Sequence, residues 1–456
     1  MAYAEKRPKI RNGKPTKQYT WRCKYKKPDG TEGSEPGFPT KALAEEWGNE
    51  QERKIREGTW IDPDKYRSHF GKFVRKYMSE RPKRGQTMAT RWKLLDTYIL
   101  PKWEHAPLIS ITWFDVDSWQ MLLPCDDVTK GHCVSLMSTI LTGAVDARWL
   151  PLNPLHSRRR TKPVQHTPIA AEEDEDKVFT AEAVLRVAER LGPAKGLHVI
   201  TTAWTGLNWG EGLGLQREHL QVRQQPWGKS DWRCWVLRVA QEVAEYDERD
   251  EQGKKKGTVL RLEPTKNKWR TRDLDLPPFL ARLWHYHLTD WPHDFMLCTQ
   301  NGKWWRRSNW PAQLRPAADG RPERKKRQGC SFRAEWEPIA PGMTMRGLRH
   351  THDSWQDQLG VRAALSFEQA GHKRPGIKGV YQHPTPAMRQ ARLDGMEEIF
   401  WEAMANLGWT ALWGRVSLVK PLAPPADDDL PNSSQTISME EYRRMRQGYG
   451  SRSEAM

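Results

Sequence analysis

The sequence predicts a multidomain chain: a small β-sheet-plus-helix module at the amino end, an all-α domain after it, and a larger mixed α+β domain beyond. Three observations predict this. At 456 residues the chain is longer than one hydrophobic core usually serves and long enough for two or three. The apolar pattern changes along it, from strand-like alternation to helical stripes and then to a mixture of both. A charged, proline-bearing stretch separates the second part from the third. The boundaries read from these signals are 1–60, 62–157 and 177–405, with a linker at 158–176 and a tail at 406–456.

The first module is dense in Lys and Arg between residues 6 and 27. Within it Tyr19-Thr20-Trp21-Arg22-Cys23-Lys24-Tyr25 alternates sides as a strand does and ends at the turn Pro28-Asp29-Gly30. A second strand is expected through 31–38. Thr40 then caps a helix with Leu43, Trp47 and Ile55 on one stripe and Gly58 as its stop. A short sheet backed by one helix, with Trp21, Arg22 and Lys24 among its basic and aromatic side chains, can lay strands in a major groove. The competing reading is a solvated basic hairpin with no partner.

Residues 62–157 are helical by periodicity. Phe70, Phe73, Val74 and Tyr77 make one stripe, Trp92, Leu95 and Ile99 a second, and Val134, Met137, Ile140, Leu141 and Ala144 a third. Pro82, Pro101 and Pro124 are expected to separate the pieces. The stripes are core. The linker switches from Arg158-Arg159-Arg160-Thr161-Lys162 to Glu172-Glu173-Asp174-Glu175-Asp176, and like-charge runs of this kind do not pack. The third domain mixes helices such as 180–191 with strands at 234–239 and 258–262, with Lys254-Lys255-Lys256-Gly257 as a turn or short loop between them. From Pro421 the Pro, Asp and Ser content predicts disorder up to a short helix near 439–447.

Charge narrows the partner. Lys plus Arg number 74 against 57 Asp plus Glu, a formal net charge of +17, so the summed field attracts polyanions. Nucleic acid leads, ahead of a membrane surface. No apolar run reaches the roughly 18 residues of a span, and Met1-Ala2-Tyr3-Ala4-Glu5-Lys6 has no apolar signal core. The chain is therefore expected in the cytoplasm, associated with the nucleoid. Cys23, Cys125, Cys133, Cys234, Cys298 and Cys330 lie far apart without a Cys-x-x-Cys pair, the pattern of reduced and inert thiols.

The chemistry is concentrated toward the end of the third domain. Arg346-Gly347-Leu348-Arg349-His350-Thr351 is followed by Gly371-His372, and Tyr381 stands nine residues after that histidine, ahead of Gln382-His383. A phenol is a poor nucleophile in neutral water, so one set among arginine and histidine in a basic chain points to attack on phosphate. Alone, Tyr381 would be packing. In this order and spacing it resembles the carboxy-terminal signature of the tyrosine recombinase (phage integrase) family.

The resemblance implies an amino-terminal arm-type DNA-binding module, an all-α core-binding domain and a catalytic domain in which Tyr381 forms a 3′-phosphotyrosyl bond. It implies that the connector runs along the DNA, where Arg158, Arg159 and Arg160 could meet phosphates. Arg349 matches the second catalytic arginine, whose planar fork can bridge a phosphate oxygen and the leaving group. His372 matches the histidine that donates to the phosphate. Lys266, in Glu263-Pro264-Thr265-Lys266-Asn267-Lys268-Trp269-Arg270-Thr271-Arg272, resembles the hairpin lysine that protonates the leaving 5′ oxygen. Lys268 is the alternative.

Two positions depart from the family pattern. Arg346 replaces a histidine and cannot serve as a base at neutral pH. In Thr205-Gly206-Leu207-Asn208-Trp209-Gly210-Glu211 the first catalytic arginine is Asn208, a shorter and uncharged donor whose presence removes a charge worth a factor of about 100 or more in rate. A compensating charge from Arg346 is one expectation. A binding-only architectural or regulatory relative is the alternative that Asn208 favours. A relaxing type IB topoisomerase shares the chemistry but does not need the module at 6–58.

In-line attack on phosphorus needs positioning and electrostatics, so no metal or other cofactor is expected. The family implies double-stranded attachment sites as substrate and four protomers on two duplexes. An accessory DNA-bending or directionality factor is a further possible partner.

Overall fold

The computed structural model describes residues 2–11, 14–156, 178–250, 253–326, 329, 331–373, 383–414 and 416–417. The expected nucleophile Tyr381, the linker arginines Arg158, Arg159 and Arg160, and the tail beyond 417 lie outside these residues. The chain divides into two compact units, one of residues 1–168 with 246–257 and one of residues 169–245 with 258 onward.

The first unit opens with a three-stranded antiparallel sheet of β1 (Tyr3–Arg11), β2 (Lys14–Lys26) and β3 (Glu32–Phe38) in that order. β2 and β3 stand where the sequence predicts strands, whereas β1 is not predicted. With charge at most of its positions, residues 3–11 carry no apolar alternation, and only pairing with β2 makes them a strand. Helix α1 (Lys41–Arg56) is capped by Thr40, whose Oγ1 accepts from Leu43 N at 3.3 Å.

The expected stripe of α1 holds at Trp47, whose ring lies 5.5 Å from that of Tyr25 and 5.7 Å from that of Phe38, and is corrected at Leu43. Ala44, Gly48 and Gln51 are buried, whereas Leu43 is exposed. A Cβ on Gly48 would stand 2.5 Å from Cys23 Sγ, so the helix lies close on the sheet and small side chains take the contact face. Trp21 shares the strand parity of the buried Cys23 and Tyr25, opposite to Arg22 and Lys24. The three residues therefore do not form one face. Lys24 is also engaged, its Nζ donating to Glu32 at 3.0 Å.

The helical part runs through α2 (Pro63–Tyr66), α3 (Phe70–Glu80), α4 (Gly85–Leu94), α5 (Leu100–Trp103), α6 (Trp113–Met121) and α7 (Asp127–Asp146). All three expected stripes are buried in one cluster with Trp103 and Trp149. Pro101 does not separate helices. Residues Leu95–Ile99 form a π turn that leads directly from α4 into α5, a widened turn that accommodates a residue unable to donate its N–H.

The second unit begins with α8 (Ala181–Leu191), capped by Thr180, then α9 (Pro193–Thr205) and the short α10 (Trp209–Leu213). Strands β4 (Leu220–Trp227), β5 (Ser230–Val239) and β8 (Arg272–Asp275) form an antiparallel sheet in the order β4-β5-β8, while β6 (Gln241–Arg249) and β7 (Lys255–Pro264), whose residues 246–249 and 255–257 belong to the first unit, pair with each other. The strands at 234–239 and 258–262 are thus not neighbours across a turn. β6 intervenes, and Lys255, Lys256 and Gly257 belong to β7.

Helices α11 (Pro278–Thr289), α12 (Pro311–Asp319), α13 (Met345–Gln358), α14 (Ala363–Ala370) and α15 (Pro386–Asn406) complete the unit. Trp204 on α9 is fully buried against Trp355, Phe279 and Phe400, with ring centroids 4.8, 5.5 and 6.1 Å away, and its Nε1 donates to Met396 O at 2.9 Å. This aromatic knot joins α9, α11, α13 and α15.

The unit does not stop at 405. Strands β9 (Ala411–Leu412) and β10 (Val416–Ser417) pair, Leu412 is fully buried, and Trp413 Nε1 donates to Ala188 O at 3.0 Å. Two apolar residues suffice to anchor this stretch, too few to register as periodicity. Among the described residues no helix is long and apolar enough to cross a membrane.

Candidate active site

The box at 205–211 folds into a helix end followed at once by a helix start. Gly206 ends α9 at φ 67°, and a Cβ there would meet His352 Cδ2 at 2.8 Å, so both conformation and space require glycine. Asn208 then takes an extended conformation at the head of α10. Glu211, three residues on, reaches back: its carboxylate accepts from Asn208 N and from Asn208 Nδ2, each at 3.1 Å.

Glu211 is fully buried and gathers two arginines from the approach to β8. Arg272 donates through Nη1 and Nη2 at 3.2 and 3.0 Å, a bidentate pair, and through Nε to Gln369 O at 2.7 Å. Arg270 donates through Nη1 to Glu211 Oε1 at 3.3 Å. Burial pushes the Glu211 carboxyl up, but the charge and hydrogen bonds of Arg272, with those of Asn208, outweigh it and hold the group below the usual range.

Beneath Arg272, β8 is fixed by Asp275. This buried carboxylate pairs with Arg389 at 2.8 Å and with Arg223, while Arg392 Nη2 donates to Asp275 O at 2.9 Å. Salt bridges thus fasten β8 to α15 and β4, and Arg272 is placed by the fold rather than by its own loop.

Arg349 and His372 are brought together from elements 23 residues apart. On α13, Arg349 donates through Nη1 to Gly206 O at 2.5 Å and through Nη2 to Ala370 O at 2.6 Å, tying the ends of α9 and α14. His372 Nε2 lies 3.4 Å from Arg349 Nη2. Gly371 makes this possible at φ 67°, with room for a Cβ only 3.0 Å from Arg272 Nη1. Burial lowers His372 below an ordinary imidazole, and Arg349, Arg270 and Arg272 add to the effect. Burial likewise lowers Arg349, with Arg272 and Arg270 pushing the same way against Glu211.

Two further expected residues, Arg346 and Lys266, are exposed. Arg346 Nε lies 3.3 Å from His350 Nε2. Lys266 stands in the loop at 265–271. The flanking strands of that loop do not form a hairpin together, because β7 pairs with β6 and β8 with β5. Thr265 Oγ1 and Thr271 Oγ1, 2.7 Å apart, close its neck, and Lys268 Nζ sits 4.9 Å above the Trp269 ring.

Sequence reasoning assigned no role to Glu211, Arg270 or Arg272. The available signal was Asn208-x-x-Glu211, an asparagine with an acid three residues on at a helix start. The partnership of Arg270-x-Arg272 with that acid is a contact between segments 59 and 61 residues apart, which no local pattern reports.

A half-open cluster of guanidinium and imidazole donors around one buried carboxylate has the hydrogen-bond donors that an oxyanion can accept from. Solved structures similar to this chain are integrases and a recombinase, the class its motifs resemble. The integrase of transposon Tn1549 in complex with transposon right end DNA is 13% identical, with 72% of this chain and 99% of that chain covered and a TM-score of 0.48. For a lambda integrase tetramer bound to a Holliday junction the values are 13%, 80%, 95% and 0.42, and for XerA recombinase 15%, 73%, 96% and 0.25. Neither family models nor curated proteins match the chain.

Proposed function

We propose that this chain is a site-specific DNA recombinase of the tyrosine type, which integrates or excises a mobile element by cutting and rejoining attachment-site DNA. The carrying observation is that Arg349 and His372, singled out by the resemblance of their motifs to the family signature, lie 3.4 Å apart in a half-open basic cluster. The +17 chain supplies the field that draws DNA to it.

In this reading the Tyr381 oxygen gives up its proton to water and attacks the scissile phosphorus, the bond from phosphorus to the 5′ oxygen breaks, and Lys266 gives that oxygen its proton. The ester formed keeps the bond energy, and a 5′ hydroxyl from a partner strand reverses the step. Arg349 and His372 donate to the non-bridging oxygens, where charge gathers in the transition state. Arg346 could steady a flanking phosphate. Arg22 and Lys24 of the amino-terminal sheet, and the arginines at 158–160, serve as DNA contacts outside the cleavage point. Four protomers on two duplexes, in the cytoplasm at the nucleoid, complete the reading, with an accessory bending factor as a possible partner.

The test uses a duplex selected by the full chain from a random library and nicked so that the released fragment diffuses away. A covalent adduct resistant to denaturant should form, and Tyr381→Phe should abolish it while binding is retained. Tight binding without any adduct would replace this reading with a binding-only protein. An adduct formed by the Phe variant would remove Tyr381 as nucleophile.

A further inference from the structure

Three guanidiniums, those of Arg270, Arg272 and Arg349, crowd around Glu211. They are not equivalent. Arg272 is spent: its side chain is 3% exposed and its donors are used on Glu211, Gln369 O and Arg270 O. Arg349 uses Nη1 and Nη2 on two carbonyls and keeps His372 beside it. Arg270 is different. Among the described residues its guanidinium gives one hydrogen bond, from Nη1, and its side chain remains 25% exposed.

The position of that group is informative. Arg270 Nη1 and Asn208 Nδ2 donate to the same oxygen, Glu211 Oε1, at 3.3 and 3.1 Å. The Arg270 head group therefore lies beside the amide at box position 208, close enough to Arg349 and His372 to shift both. The backbone holds it there. Asn267 Oδ1 accepts from Trp269 N at 3.1 Å and Arg270 N at 3.2 Å, the Thr265–Thr271 contact closes the loop, and Arg272 Nη1 donates to Arg270 O at 2.9 Å. Among the described residues the acids acting on Arg349 include Glu211, already shared by both arginines, and Asp353, which burial holds above the usual carboxylate range. The cluster carries an excess of positive charge that an oxyanion would neutralise.

We propose that Arg270 is a catalytic residue, supplying the guanidinium that position 208 lacks and donating through Nε and Nη2 to a non-bridging oxygen of the scissile phosphate. This rests on the recombinase reading. It gives Asn208 a role compatible with activity: the asparagine fills the helix cap and leaves the charge to a side chain arriving from the β7–β8 loop. Arg346, expected from the sequence to compensate, donates through Nε to His350 at 3.3 Å, and among the described residues no contact links it to Glu211 as Arg270 is linked.

The experiment measures adduct formation on the selected, nicked duplex for four chains: parent, Arg270→Gln, Asn208→Arg and the double variant. Arg270→Gln should slow cleavage by about 100-fold or more with site binding within threefold. Asn208→Arg alone should gain less than tenfold, and in the double variant it should restore cleavage to within about tenfold of the parent. Cleavage by Arg270→Gln at the parent rate overturns the proposal. So does a double variant as slow as Arg270→Gln, which would make Arg270 a support for Glu211 only.

A second measurement separates this from failure of the recombinase reading. Inorganic phosphate is titrated into the DNA-free chain and followed by phosphorus NMR line broadening. Arg270→Gln should weaken phosphate binding at least fivefold even if no adduct forms. Unchanged binding overturns the oxyanion site itself.

Discussion

Replacing Glu211 by glutamine removes one charge and almost no volume, at the point on which the whole cluster converges. The buried carboxylate accepts two bonds from Arg272, one from Arg270, one from the Asn208 amide and one from the Asn208 backbone. Glutamine keeps one acceptor oxygen and turns an NH2 toward cations that have no alternative acid within the pair. Breaking a buried ion pair by removing one partner costs about 3–5 kcal/mol, and the retained oxygen places Glu211→Gln near the lower end, about 3 kcal/mol. That corresponds to a factor of more than about 100 in the folding equilibrium.

The pH dependence has a definite sign. The carboxyl lies below its ordinary value in the folded chain, so its stabilisation is present above the unfolded value and is lost as pH falls through the folded one. Denaturant unfolding of both chains at pH 7 and at steps down toward pH 3.5 would measure it. The gap should be widest at neutral pH and should narrow toward acid, by no more than about 1.4 kcal/mol per pH unit below the unfolded value. A gap below about 1 kcal/mol at pH 7, or one that stays constant across the range, would refute the argument that Glu211 holds these arginines as a charge.

Two further outcomes are expected. Burial pushes His198 to about 3, so between that point and about 6.5 only the unfolded chain takes up its proton and stability falls toward acid by about 1.4 kcal/mol per pH unit from this group; His198→Leu should flatten the unfolding profile by that slope, and an unaltered profile would show that the buried ring is protonated in the native state. Deleting residues 1–58 should weaken binding to long attachment DNA and lower its salt dependence while leaving binding to the short core site largely unchanged, and equal loss on both would make the module a part of the folded body alone.

The sequence by itself determined much of this protein. The family signature carried by Arg346-Gly347-Leu348-Arg349-His350-Thr351 and Gly371-His372 picked out Arg349 and His372, because order and spacing are written in the chain itself. Helical stripes located the core of the second domain, since period 3.6 is written in every turn. Charge set the expectation of a polyanionic partner. Tertiary structure decided the rest. Strand β1 exists only through pairing with β2, Pro101 continues a helix because a π turn absorbs it, and β7 and β8 part into separate sheets although they adjoin in sequence. Above all, Arg270 and Arg272 become neighbours of Glu211 only when β8 is locked to α15 through Asp275 and Arg389. Local periodicity records what each residue does to its own helix or strand. Where a charge comes to rest is set by long-range ion pairs, which follow from the assembled core and leave no periodic trace in the chain.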